Sequence, residues 1–289
     1  MSDRFLTKSL RIAKTEYIKW LRNPRMLIGG ILVIVIYTLA VVPLLERAQK
    51  MGIPMNIFEP IIAVGNSGLL VLLLPSVFLI LQSDYPVIEP NSLMYLSRTG
   101  KRAWLMGQIL FSLMSIVTYL GVIFVVVGIC SASGSYLGLE WSESTRFYAA
   151  TFPDDADGFA ASLLPPNLYN QISLGMTLVY TFSLLVLYFF LLTLVLLAFS
   201  LIKKRNLGLF CTYAIIMAGV VTCVVKADAM WAFPMANTII WLHYTEILST
   251  PIYPIGSSYL YFGCGIGVLL ILCAVLIRRA EFESTEVLQ

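Results

Sequence analysis

Few side chains in this chain have the types or spacing that could support chemistry. The single histidine, His243, lies beside Tyr244 and near Glu246, and an imidazole close to a carboxylate could move a proton or bind a metal ion. A lone histidine in an apolar segment is more often packed or solvated than a ligand. We therefore predict no catalytic residue, no metal site and no cofactor bound by this chain.

The sequence motifs for phosphate binding and the spacing of the cysteines also predict no catalytic or metal site in this chain. The sequence has no GxxxxGK[ST] loop, which excludes the usual route to ATP hydrolysis within this chain. Its five cysteines form no CxxC pair, which favours apolar packing over a disulfide framework or a metal site. If the chain uses ATP, another polypeptide must therefore supply the nucleotide site.

The composition is that of a protein whose main solvent is lipid. The chain has 289 residues, of which 59% are hydrophobic and 12% are charged, whereas about a quarter of the residues in a soluble domain are charged. The net charge of +3 and its distribution do not resemble a nucleic-acid-binding surface. We expect an all-helical membrane domain and no nucleic-acid partner.

Six apolar runs are each long enough to cross a hydrocarbon core of about 30 Å. They are Met26 to Leu45, Ile61 to Leu81, Ala103 to Cys130, Ile172 to Ile202, Leu207 to Val225 and Ile255 to Ile277. None contains Asp, Glu, Lys, Arg or His. Ion-coupled carriers usually keep an ionisable group near the midplane, and intramembrane metalloproteases need His and carboxylate ligands, so both classes are disfavoured.

The basic residues flank these runs unevenly. Of the nineteen Lys and Arg residues, seven lie in residues 1–25, three in the loop 82–102, three in 203–205 and two at 278–279. Short loops rich in Lys and Arg remain cytoplasmic. We predict a multi-pass protein of the plasma (inner) membrane with both termini in the cytoplasm. The six-span domain would cover residues 26–277, with an extracytoplasmic cap at 131–171 and a cytoplasmic tail at 278–289.

Residues 1–25 have the pattern of an amphipathic helix in the plane of the membrane surface. Apolar side chains recur with helical spacing on one face (Phe5, Leu6, Leu10, Ala13, Tyr17, Trp20 and Leu21), opposite a basic face. Such a helix lies between head groups and acyl chains, and Pro24 then turns the chain into the membrane. We predict an interfacial elbow helix that contacts membrane lipids, with Arg11, Trp20, Arg22 and Arg25 as its anchors.

The loop 82–102 carries more apolar surface than a short connection needs. Pro86 and Pro90 bracket its start, and Asn91 is placed to cap a short helix that ends before Gly100. That helix would present a run of apolar side chains, Leu93 to Leu96. Exposed apolar patches rimmed by charge often mark protein contacts. The alternative is that the helix packs under its own bundle.

Two segments resemble the permease subunit of type-2 ABC exporters. The segment EYIKWLRNPR from Glu16 to Arg25 is similar to the elbow of that family. The segment SRTGKR from Ser97, which leads into WLMGQ from Trp104, is similar to the start of its third span. The chain departs from the family where many members carry Glu-x-Gly-Thr, since Ile88 to Asn91 reads IEPN here.

The resemblance implies partners and contact residues. The loop 82–102 would be the coupling loop, and two copies of an ABC ATPase, carrying ATP and Mg, would dock on a pair of identical or similar permeases. The contact residues would be Glu89, Asn91, Leu93, Met94, Tyr95 and Arg98. Export is implied by the resemblance alone.

The cargo and the alternatives follow from the spans and the outer loop. Spans without charge indicate an amphipathic, peptide-like or lipid-like cargo, and Asn66 and Ser67 could line its pathway. A second hypothesis is a non-transporting scaffold or sensor whose outer loop 131–171 binds a ligand. A third is an intramembrane enzyme that uses His243.

Overall fold

The computed structural model describes residues 2–86, 99–155, 158–245 and 251–279. The longer helices are α1 (Ser2–Leu21), α2 (Met26–Ile36), α3 (Val42–Met51), α4 (Phe58–Asn66), α5 (Gly68–Leu81), α6 (Lys101–Ser131), α7 (Glu143–Thr151), α10 (Leu174–Leu201), α11 (Arg205–Val224) and α13 (Ile255–Arg279). Three short helices are α8 (Phe159–Leu163), α9 (Pro166–Tyr169) and α12 (Pro234–Thr238). A π-helical turn, Tyr37–Val41, joins α2 to α3 without a break.

Among the described residues, five helices are long and apolar enough to cross a membrane, and a bent pair makes a sixth if it counts as one span. These helices confirm the predicted helical class and suggest a membrane protein. Helix α10 lies at the centre of the bundle. In its most apolar stretch 83% of the residues are buried, against 22–33% in the other four helices. Uncharged side chains around the whole of α10 fit this position, since a helix that is apolar on every side is buried or faces lipid.

The predicted second span, Ile61 to Leu81, is not one straight helix. Helices α4 and α5 meet at an angle of 78°, because Ser67 between them is extended, with ψ of 123°. Gly65 allows α4 to approach α10 closely, since a Cβ there would lie 2.2 Å from Thr181 Cγ2. A continuous apolar run carries no signal for such a break, so the pattern predicted one helix where there are two.

Helix α1 packs along the first half of α6. Ser9, Ile12 and Ala13 are buried in this contact, and a Cβ on Gly107 would lie 2.8 Å from Ile12 Cβ. Tyr17 Oη lies 2.7 Å from Thr118 Oγ1 further along α6. The predicted apolar face is therefore divided between two environments, because part of it binds α6 while Leu6, Leu10 and Leu21 remain exposed.

The segment 131–171 folds as a cap over the ends of α3, α4 and α6. Strand β1 (Met55–Asn56) pairs in parallel with β2 (Ser135–Tyr136), and α7, α8 and α9 follow. Trp141 Nε1 donates to the carbonyl oxygen of Ile172 at 2.7 Å, which fixes the cap to the start of α10. We call this side of the bundle the cap end, and the opposite side, where α1, α6 and α11 begin, the basic end.

Candidate functional site

The site that the sequence singles out lies at the basic end, where the loop 82–102 leaves the bundle. Asp84 follows α5 and forms ion pairs with two arginines. Arg25 Nη1 donates to Asp84 Oδ2 and, at 2.7 Å, to Ser83 Oγ, while Arg205 Nη1 lies 3.9 Å from Asp84 Oδ1. Arg25 precedes α2 and Arg205 begins α11, so one carboxylate joins the ends of three helices.

Two hydrogen bonds connect the same segment to α6. Gln82 Nε2 donates to Ser115 Oγ at 2.8 Å, and Tyr85 Oη donates to the carbonyl oxygen of Gln108 at 3.1 Å. The side-chain amide of Gln108 is fully buried and has no hydrogen-bond partner among the described residues. Buried polar groups are normally paired. The unpaired amide of Gln108 therefore lowers the stability of the fold.

A pocket of about 600 Å³ opens between α1, the end of α5 and the start of α11. We call it the interfacial pocket. Its charged lining comprises Glu16, Lys19, Arg22, Asp84 and Arg205, and its other lining residues include Trp20, Pro24, Leu81 and Phe111. Cations, carboxylates and aromatic rings thus face one space, which suits a ligand with both a charged and an apolar part.

The predicted contact residues of the coupling loop, Glu89, Asn91, Leu93, Met94, Tyr95 and Arg98, lie outside the described residues. The structure describes the two ends of this loop, 82–86 and 99–102. Gly100 adopts a φ of +85° immediately before α6, a conformation that glycine adopts without strain. The contact of the six predicted residues with an ATPase stays a prediction.

The four predicted anchors of α1 have different surroundings. Arg11 and Arg22 are exposed, Arg25 is half-buried through its pair with Asp84, and Trp20 is 6% exposed. The Trp20 ring packs edge-on to Phe111, with ring centroids 6.5 Å apart. Trp20 therefore holds α1 to α6, a role that the amphipathic pattern alone did not predict.

The predicted pathway residues lie at the bend between α4 and α5. Asn66 is fully buried, and its Nδ2 donates to Thr181 Oγ1 at 3.0 Å while its Oδ1 accepts from the Ile240 amide at 2.8 Å. Ser67, 5% exposed, makes the extended link. An apolar cavity of about 440 Å³ adjoins this bend, with Gly68, Leu72, Val220 and Met235 among its lining residues.

The strongest polar centre in the described residues lies at the cap end, and the sequence reasoning missed it. Glu59 in the first turn of α4 is fully buried. Its carboxylate accepts from the Ser142 amide at 2.7 Å, Ser142 Oγ at 2.9 Å, Thr145 Oγ1 at 3.0 Å and the Asn56 amide at 3.3 Å. Four hydrogen bonds converge on this carboxylate and hold the cap onto α4.

A second charged group joins the cap to α3. Lys50 Nζ donates to Asp155 Oδ2 at 2.7 Å, and Tyr148 Oη donates to the same oxygen at 2.8 Å. The hydrogen bond from Lys50, followed by that from Tyr148, lowers the pKa of Asp155. Arg47 is buried beside them, with Nη1 donating to the Ala160 carbonyl oxygen at 3.0 Å.

His243 is a packed residue. It is fully buried, its Nδ1 lies 2.8 Å from the Tyr253 carbonyl oxygen, and its ring centroid is 4.9 Å from that of Trp231. Burial lowers its pKa, which favours the neutral ring with its proton on Nδ1. Within the described ranges, no three His, Cys, Asp or Glu side chains come together as a metal site would require.

Two signals could have located the missed residues. Asp84 is an acidic residue within a basic flank, which predicts local pairing rather than general attraction to anionic lipid. Glu59 lies two residues before Ile61, where the apolar run was taken to begin, and a span extended by one turn would have enclosed it. Helix ends defined by hydropathy are uncertain by that amount.

No protein-family model matches the chain, and no curated protein matches it either.

Proposed function

We propose that this chain is the permease subunit of an ATP-driven ABC transporter. The observation that carries the proposal is the position of Asp84, which joins the start of the predicted coupling loop to Arg25, just before α2, and to Arg205, the first residue of α11. A partner that moves this loop would move those helix ends together. The five long apolar helices of the described residues, or six with the bent pair, would supply the membrane domain.

The loop is connected to the bundle on both sides. Its start is bonded to α6 through Gln82 and Tyr85, and its end leads through Gly100 into α6, along which α1 is packed. Helix α6 then runs the whole depth of the domain to Ser131 at the cap end. A displacement of the loop would therefore reach α1, α2, α6 and α11, and coupling requires such contiguous contact between two arrangements.

In the proposed mechanism, the bend at Ser67 separates helix α5, which would move, from helix α4, which would stay in place. Helix α5 ends at the loop, whereas α4 is held to α10 and to Ile240 through Asn66. The apolar cavity beside the bend is lined by α5, α11 and the segment 235–242. In the proposed mechanism, ATP-driven motion of α5 and α11 changes this cavity, and its apolar lining suits an amphipathic, peptide-like or lipid-like cargo.

The remaining parts of the proposal concern orientation and partners. The basic end faces the cytoplasm of the plasma (inner) membrane, α1 is the elbow helix at its surface, and two ABC ATPases bind ATP and Mg there. A second permease, identical or similar, completes the pathway. The direction of transport, export, is proposed from the family resemblance.

Replacement of both Leu93 and Tyr95 with Asp tests the proposed coupling loop. We expect ATPase association to be lost while membrane insertion is retained, because two charges would replace the apolar contact surface. The matched control replaces Leu137 and Leu139 with Asp, since these side chains are 80% and 75% exposed at the cap end. Retained ATPase association in the loop variant, measured by affinity co-purification, would contradict the proposal.

A further inference from the structure

The interfacial pocket carries an excess of positive charge. Lys19, Arg22 and Arg205 line it together with two carboxylates. One of those carboxylates, Asp84, is also paired with Arg25, which lies outside the lining. The balance therefore favours a ligand with negative charge. Guanidinium and ammonium groups that converge on one space are the usual protein partners of phosphate oxygens.

Trp20 adds a donor that the protein does not use. Its side chain is 6% exposed and lines the pocket, and its indole Nε1 is buried without a hydrogen-bond partner in the described part of the chain. An indole N–H can only donate, and a buried donor without a partner requires an explanation such as a bound ligand. Because this nitrogen is closed to solvent, a phosphate or ester oxygen would satisfy it only after the surrounding side chains move.

The rest of the lining is apolar and lies beside a lipid-facing helix. Leu81 and Phe111 line the pocket with Pro24, and α2 begins two residues after this proline. Leu27, Ile31 and Ile34 on α2 are 75%, 61% and 66% exposed. In a membrane-spanning helix this apolar stripe contacts acyl chains. A head group in the pocket could therefore keep its acyl chains against α2.

We propose that the interfacial pocket binds the phosphate group of a phospholipid from the leaflet that surrounds α1. Lys19, Arg22 and Arg205 bind the phosphate oxygens, and Trp20 donates to a phosphate or ester oxygen. The bound lipid fills the space between α1 and the end of α5, next to Asp84. This site does not require an ATPase partner, so it can be tested on the purified chain alone.

The test compares two variants that each lose two positive charges from residues 8–22. The pocket variant is Lys19→Gln with Arg22→Gln. The control is Lys8→Gln with Lys14→Gln, because both side chains are exposed and lie outside the pocket lining. Native mass spectrometry of the detergent-purified chain measures binding of added phosphatidylglycerol, and thermal unfolding with phosphatidylglycerol or inorganic phosphate measures stabilisation.

We expect the control to bind phosphatidylglycerol as the unmodified chain does and the pocket variant to bind at least tenfold more weakly, since it loses two charged partners of the phosphate and a tenfold change corresponds to about 1.4 kcal/mol. Trp20→Phe, which keeps an aromatic ring and removes the donor, should also weaken binding without unfolding the chain. Equal loss in both double variants, or loss in neither, would overturn the proposal. If inorganic phosphate stabilises the chain as much as phosphatidylglycerol does, the pocket binds free phosphate and the lipid proposal is overturned.

Discussion

Glu59 at the cap end of the helical bundle and Asp84 at its basic end are held in different ways. At the cap end, Glu59 is fully buried and accepts four hydrogen bonds from three residues of the protein. At the basic end, the side chains of Asp84, Arg25 and Arg205 are 43%, 39% and 47% exposed. Removing one partner of a buried charge is strongly destabilising, whereas an exposed ion pair contributes about 0–1 kcal/mol.

This difference indicates which end is fixed and which end can rearrange. A buried, fully bonded carboxylate has one favourable arrangement, because any movement leaves donors unpaired. Half-exposed ion pairs can exchange partners with water at little cost in free energy. In the proposed mechanism, the moving part lies at the basic end, where the predicted coupling loop begins.

The largest effect is expected from Glu59→Ala at the cap end. The substitution leaves several buried donors without an acceptor, each costing about 1–3 kcal/mol. We expect a strong fall in thermal stability in detergent and rapid proteolysis within residues 137–171. The control is Glu140→Ala, which removes an exposed carboxylate from the same cap. If both variants are equally stable, Glu59 does not hold the cap and the two ends do not differ as described.

A moderate effect is expected from Gly107→Ala, which tests the contact between α1 and α6. The added Cβ would lie 2.8 Å from Ile12 Cβ, and overpacking of this kind costs about 1–3 kcal/mol. Gly121→Ala on the same helix is the control, because a Cβ there meets nothing within 4 Å. Increased proteolysis of residues 2–21 in the first variant only would support the contact. No difference between the two variants would remove α1 from the coupled unit.

The smallest effect on stability, and the sharpest on function, is expected from Asp84→Asn. Its ion pairs are half-exposed, so the free energy of unfolding should change by about 1 kcal/mol or less. Coupling between sites is commonly 1–3 kcal/mol, so transport in the assembled complex should fall about fivefold or more. A large loss of stability, or unchanged transport, would show that the basic end is as rigid as the cap end.

The sequence predicted the elements better than the bonds that position them. Apolar runs are long and unambiguous, so the helices at Lys101–Ser131, Leu174–Leu201, Arg205–Val224 and Ile255–Arg279 differ from their predicted bounds by at most two residues. The second span was wrong as a single helix, because the extended Ser67 is stabilised by distant partners of Asn66, at Thr181 and Ile240. No local pattern contains those partners.

The bonds at the basic end could not be predicted from the sequence. Arg25 was expected to anchor α1 at the membrane surface, and its ion pair with Asp84 depends on the α5 end, 59 residues away along the chain. The hydrogen bonds from Ser142 and Thr145 to Glu59 likewise join residues that are more than 80 positions apart in the sequence. Hydropathy and charge patterns describe each segment separately, so pairings between segments require the fold.

The measurement that tests the central proposal most directly is purification of this chain from its native host in a mild detergent, followed by identification of the proteins that accompany it. The account predicts a P-loop ATPase in stoichiometric amount, and a second, different permease in the complex would make the assembly a heteromer. Recovery of the chain without any ATPase, under conditions that preserve comparable complexes, would contradict the account and favour a scaffold or sensor.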